Sequence, residues 1–152
     1  MENPLNVHNP EPTLPLEKEL LPLFTEKAPF QIPDEWREVM VKYGPYIILI
    51  LVPLSLLAIG IGTIATIFSA FTLNFLGSIS LLLTILSMIL NLVALPGLFS
   101  RSRSSGWTLL YYGFLLNTLA SLVTLSIVGI LSGAIGFLIG GFILFQIRGK
   151  YK

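Results

Sequence analysis

Cysteine is absent and histidine occurs once, at His8, so disulfides, thiolate chemistry and a histidine zinc site are all excluded. Charge is scarce as well. Asp, Glu, Lys and Arg make up 11% of the chain, against about 25% in ordinary soluble domains. No Asp, Glu, Lys, Arg or His occurs from Gly44 to Ser100, and none from Ser104 to Ile147. Proton relays and coupled carriers normally need an ionisable group inside their spans. General acid–base and nucleophilic catalysis need such a group beside its partner. The serines and threonines of these runs have neither histidine nor lysine next to them, and the glycines sit in apolar helical sequence rather than in a phosphate-cradling loop. The sequence therefore predicts no enzyme, no cofactor and no metal site. A net charge of +1 gives no basic field for nucleic acid.

What fills the chain instead is hydrocarbon. Hydrophobic residues make up 54% and the mean hydropathy is +0.84. A bilayer core ~30 Å thick is crossed by ~20 apolar residues in a helix, and the first charge-free run is long enough for two crossings. A soluble core of this size would still need charged surface between its helices. The expected fold class is an all-α membrane protein: a four-transmembrane-helix bundle preceded by a short amphipathic interfacial helix and a Pro-rich tail.

Seven of the ten prolines lie in residues 1–33. Proline removes amide donors and breaks helices, so this segment reads as an extended or disordered tail. It lacks the basic start and apolar core of a signal peptide. Within it, residues 14–24 are unusually apolar, either folding back onto the membrane surface or the bundle, or docking a partner. Pro33-Asp34-Glu35-Trp36 starts a helix, with Asp34 placed to cap it. Trp36, Val39, Met40 and Tyr43 share one apolar face, so 34–43 is expected to lie in the headgroup layer. The alternative is a cytosolic helix packed on protein. Gly44-Pro45 reads as a hinge. The four spans are expected at about 45–68, 75–98, 107–124 and 130–147, with a turn near 125–129 and a basic tail at 148–152. Asn74 is the expected cap between the first two.

An even number of spans puts both termini and the 100–106 loop on one side. Every basic residue is on that side, with Arg37, Lys42, Arg101, Arg103, Arg148, Lys150 and Lys152 nearest the spans. The positive-inside rule makes it cytoplasmic, in the cell (plasma) membrane, and the acidic residues count for little in that rule. Trp36, Tyr43, Trp107, Tyr111 and Tyr112 are candidate interfacial anchors, because rings with a polar tip favour the headgroup level.

Small residues mark packing faces. Ala58 and Gly62 form one small-xxx-small pair, and Gly129, Gly133, Gly136 and Gly140 line one face of the last span. The neighbour could be in the same chain or in a second copy. Asn91 and Asn117 lie at similar depths and form a possible interhelical polar pair, or else part of a polar solute path.

At Leu95-Pro-Gly-Leu98, at Arg101 and Arg103, at Gly106-Trp-Thr-Leu-Leu-Tyr-Tyr112 and at Leu144-Phe-Gln-Ile-Arg-Gly-Lys-Tyr151, the chain resembles an uncharacterised family of small bacterial four-span integral membrane proteins. The likeness covers residues 34–152 loosely. The loop here is serine-rich where those relatives are lysine-rich, and the Pro-rich tail lies outside the pattern. The resemblance implies topology and no activity. Two roles remain: a non-enzymatic scaffold that binds the lipid bilayer and a protein partner through the N-terminal tail, or a homo-oligomeric channel or transporter component for a small solute or ion. A membrane enzyme would have to draw its carboxylates from 34–42.

Overall fold

The computed structural model describes residues 14–73 and 75–152, with side chains described outside 58–73. Among the described residues five helices carry the fold: α1 Glu17–Phe24, α2 Asp34–Leu73, α3 Phe75–Phe99, α4 Thr108–Val123 and α5 Ile127–Ile147. One wide turn over Arg103–Trp107 leads into α4, and a tight turn over Arg148–Lys150 follows α5. No strand occurs among the described residues. Four helical segments of the described residues are long and apolar enough to cross a membrane: Asp34–Leu57, Phe75–Phe99, Arg103–Val123 and Ile127–Lys150.

The helices pack in chain order, α2 on α3, α3 on α4 and α4 on α5, while α5 meets α2 chiefly near their charged ends. Leu54, Leu57, Leu82, Leu119, Ile127, Leu131, Leu138 and Ile139 are exposed. In water that surface would be a liability; in hydrocarbon it meets its own kind. Hydroxyls serve neighbouring helices or their own backbone. Ser87 Oγ donates to Gly113 O at 2.7 Å and Ser80 Oγ to Ala120 O at 2.8 Å, which tie α3 to α4.

The expected hinge at Gly44-Pro45 is not there. α2 runs through Gly44, Pro45 and Pro53 as one 40-residue helix, ~60 Å long at 1.5 Å per residue. The 34–43 stretch is thus a rigid extension of the first span and not a separate surface helix. Each proline removes one helical hydrogen bond, worth ~1 kcal/mol net. Contacts hold the helix on both sides of the loss: Arg37 to Gln146, Glu38 to Arg101 and Asp34 to Lys150 upstream of Pro45, and Tyr46 against Phe99 downstream.

The turn between α4 and α5 is shorter than expected and falls earlier. Leu125 adopts φ 49° and stops α4. Ser126 then caps α5, its Oγ accepting the Gly129 amide at 3.0 Å. Gly129 is therefore in the first turn of a helix.

Residues 14–33 also depart from an extended tail. Residues 17–24 are helical, and α1 runs antiparallel to α5, from Glu17 beside Arg148 to Phe24 among Phe137, Gly141 and Phe145. The returning segment passes Phe30 over Phe142, with ring centroids 4.9 Å apart, and reaches α2. Of the two readings of 14–24, the structure shows the fold-back onto the bundle. Its turn is satisfied locally. The amides of Thr25, Glu26 and Lys27 donate to Leu21 O and Pro22 O, and Gln146 Nε2 donates to Phe24 O at 3.0 Å. Irregular backbone packed at membrane depth needs that satisfaction, because hydrocarbon offers no water.

Candidate functional site: the charged end of the bundle

Polar chemistry in the described chain gathers where α1, the start of α2, the 100–107 loop and the end of α5 meet. At its centre Glu17 Oε1 accepts from Arg148 Nε at 2.6 Å, and both side chains are 0% exposed. Arg103 Nη2 approaches the same oxygen at 3.4 Å. The second oxygen, Oε2, accepts the Leu14 amide at 2.9 Å and closes the first turn of α1. Arg103 and Arg148 both lie over the Trp107 ring, at 5.9 and 5.6 Å from its centroid. A buried pair of charges survives only with close geometry and further hydrogen bonds, and here each group has them.

A second layer surrounds this centre. Arg37 Nη2 donates to Gln146 Oε1 at 2.7 Å, so Gln146 bridges α2 to the end of α1. Lys150 pairs with Asp34 at 2.8 Å and lies 3.7 Å from Glu38, which also holds Arg101. The carboxyl-terminal residues are clasped to the loop by two backbone bonds, Arg103 N to Lys152 O at 2.7 Å and Lys152 N to Arg101 O at 3.0 Å. Burial pushes the Tyr151 phenol up to about 12, so its ring stays neutral. Lys42 lies 5.3 Å from the Tyr43 ring centroid. Arg37, Lys42, Arg101, Arg103, Arg148, Lys150 and Lys152 thus share one end of the bundle, and all but Lys42 tie one segment to another.

The anchors divide. Trp36 and Tyr43 are 60% and 51% exposed on the apolar face expected of them. Trp107 and Tyr111 are 0% exposed, and so are core residues rather than lipid-facing rings. Their polar tips find partners inside the protein, which removes the reason to face the headgroups: Trp107 Nε1 donates to Leu144 O at 3.1 Å, and Tyr111 Oη to Pro15 O at 2.5 Å. The two rings stack at 5.3 Å, and Tyr112 is half-buried beside them.

The glycine face of α5 is not one uniform contact. Gly133 faces Ser121, and Gly140 faces Phe114, both of α4. Gly129 packs on its own cap at Thr124 and Ser126, and nothing lies within 4 Å of a side chain added at Gly136. Asn74 and His8 lie outside what is described, as do the surroundings of Ala58 and Gly62 within α2. Two further close approaches fall on glycines that spacing did not single out. A Cβ on Gly97 would overlap the backbone of Ser105 and Gly106, and one on Gly141 would overlap the Phe24 ring.

Asn91 and Asn117 line one cavity of about 400 Å³ with Ser87, Gly113 and Gly136. No hydrogen bond joins them among the described residues; Asn91 Oδ1 is buried without a partner, facing the space that Gly113 leaves open. A neighbouring apolar groove of about 450 Å³, lined by Trp36, Tyr43, Ile48, Leu98 and Tyr151, shares Leu110, Ile143 and Ile147 with it. Among the described residues no three His, Cys, Asp or Glu side chains gather as a metal site would require.

Glu17 and Gln146 were missed by sequence reasoning. Gln146 carried a signal, as a polar side chain two residues before Arg148 and four before Lys150. Glu17 carried none, because its partner lies 131 residues away. Compared with known protein families, curated proteins and solved structures, the chain matches none.

Proposed function

We propose that this chain is a non-enzymatic, multi-pass protein of the plasma membrane, with both ends cytoplasmic, which acts as a scaffold and presents its charged end to a protein partner. One observation carries the reading. The side chains of Arg37, Arg101, Arg103, Arg148 and Lys150 knit α1, α2, the 100–107 loop and the end of α5 into a single cap, instead of marking a route between the helices. Placement of that cap in the cytosol rests on the positive-inside rule, and a bacterial membrane suits the four-span resemblance. Residues 1–13 precede the docked segment and are the natural contact for a partner.

The test is a truncation that spares the cap. Removing residues 1–13 leaves Glu17 in place, whereas removal through residue 33 would strand Arg148. The scaffold reading expects in-cell crosslinking to give a defined partner adduct with the full chain, which the truncated chain loses while still inserting. No adduct with either chain would count against it. A second reading is favoured by the partnerless Asn91 amide oxygen in the cavity: several copies could form a small-solute or ion pathway around α5. Reconstituted vesicles should then leak tracer, and Asn91→Leu should stop the leak. A monomer without flux removes that reading.

A further inference from the structure

We propose that the groove between residues 23–32 and the outer face of α5 seats one anionic phospholipid, its phosphate held by Lys27. The groove has a volume of about 570 Å³, with Phe24, Pro29 and Phe30 on one wall and Leu138, Ile139 and Phe142 on the other. Lys27 is the one charged residue that lines it. Lys27 is exposed and joins no ion pair among the described residues. Glu26, its neighbour in the chain, is exposed but does not line the groove.

Depth selects the occupant. Leu138 precedes Ile147 by nine residues, ~14 Å along the helix at 1.5 Å per residue. The groove thus reaches the level of acyl chains, beside Leu138 and Ile139, which are 60% and 59% exposed. Lys27, in the turn that follows Phe24, stands toward this deeper end, so that its four-carbon stem has to carry the ammonium back toward the headgroups. A water-soluble ligand has no approach to apolar walls that a bilayer covers, whereas a lipid reaches them by sideways diffusion. An ammonium set among apolar walls is best served by snorkelling to a phosphate, and a chain in the groove covers Phe30, which is otherwise 63% exposed. A phospholipid meets both needs with one molecule. The inference rests on the membrane reading and is independent of any scaffold role.

The experiment uses the full chain, purified and delipidated in mild detergent, with bound lipid counted by native mass spectrometry. Phosphatidylglycerol and phosphatidylcholine of the same chain length are the probes. Expected is one phosphatidylglycerol retained per chain, preferred about fivefold, the ratio of a single cation near a lipid surface. Lys27→Gln should abolish the preference and leave chain uptake intact. Ala28→Trp, which fills the groove, should lower uptake of both lipids. Equal retention of the two lipids by the wild-type chain would overturn the proposal, as would an undiminished preference in Lys27→Gln. Increased uptake after deletion of residues 1–13 would also overturn it, by making that segment the occupant, and so would Lys27-dependent binding of inorganic phosphate without lipid. Loss of the partner adduct with lipid preference intact would sink the scaffold and leave this site standing.

Discussion

Replacing Glu17 by alanine removes the acid that faces Arg148 in a site where both are fully buried. Breaking a buried pair by deleting one partner costs about 3–5 kcal/mol, because a charge is left stranded. The Leu14 amide loses its acceptor too, adding about 1 kcal/mol. The sum is a large share of a typical stability of about 5–15 kcal/mol, yet the chain has a cheaper way out. α1 can undock and let water reach Arg148, so the loss is capped at whatever holds α1 in place. The expectation is therefore local opening ahead of global unfolding. In detergent, trypsin should cut Glu17→Ala after Lys18 and Lys27 at least tenfold faster than the parent, while α2–α5 stay folded by circular dichroism. Glu19→Ala, on an exposed side chain, should behave as the parent. Glu17→Ala combined with Arg148→Met should restore much of the protection, since a buried pair exchanged for apolar groups is often neutral or better. If Glu17→Ala cuts no faster than Glu19→Ala, the ion pair does not hold α1 and the reasoning fails.

Gly141→Leu should expel the Phe24 ring and give the same protease signature as Glu17→Ala with the ion pair intact; resistance equal to the parent would contradict the docking of α1. Gly97→Ala should lower the midpoint of thermal unfolding sharply, because backbone meets backbone there, whereas Gly136→Ala should be tolerated, having open space; equal effects would refute the packing. Leu125→Gly should stabilise by about 0.5–1 kcal/mol in denaturant titration, since a left-handed φ of 49° strains leucine and suits glycine. Trp107→Phe leaves the Leu144 carbonyl without its donor and should cost about 1–3 kcal/mol by the same titration.

Much of the fold was legible because the bilayer imposes one coarse rule. Two charge-free runs located the spans, and α3 ends one residue from its expected limit at 98. Local chemistry failed where tertiary contacts decide. Proline spacing argued for an extended segment over 14–24, but Glu17 and Phe24 dock on residues far along the chain. Pro45 argued for a break, which ion pairs across the bundle override. The sequence of Trp107 and Tyr111 cannot say whether a ring tip meets a lipid headgroup or a carbonyl such as Leu144 O. Ser126 was a readable cap for α5 that the glycines after it obscured.

The claim beneath the whole account is that the helices cross a bilayer and bring the 100–107 loop and the last residues to one face, with the α4–α5 turn on the other. Because the chain has no cysteine, single cysteines at Ser104, Lys152 and Leu125 can be labelled cleanly with an impermeant maleimide in intact and opened cells. The account predicts that Leu125→Cys labels in intact cells, while Ser104→Cys and Lys152→Cys label only after opening. Labelling of Leu125→Cys together with the other two, or of Ser104→Cys and Lys152→Cys from opposite sides, would contradict it.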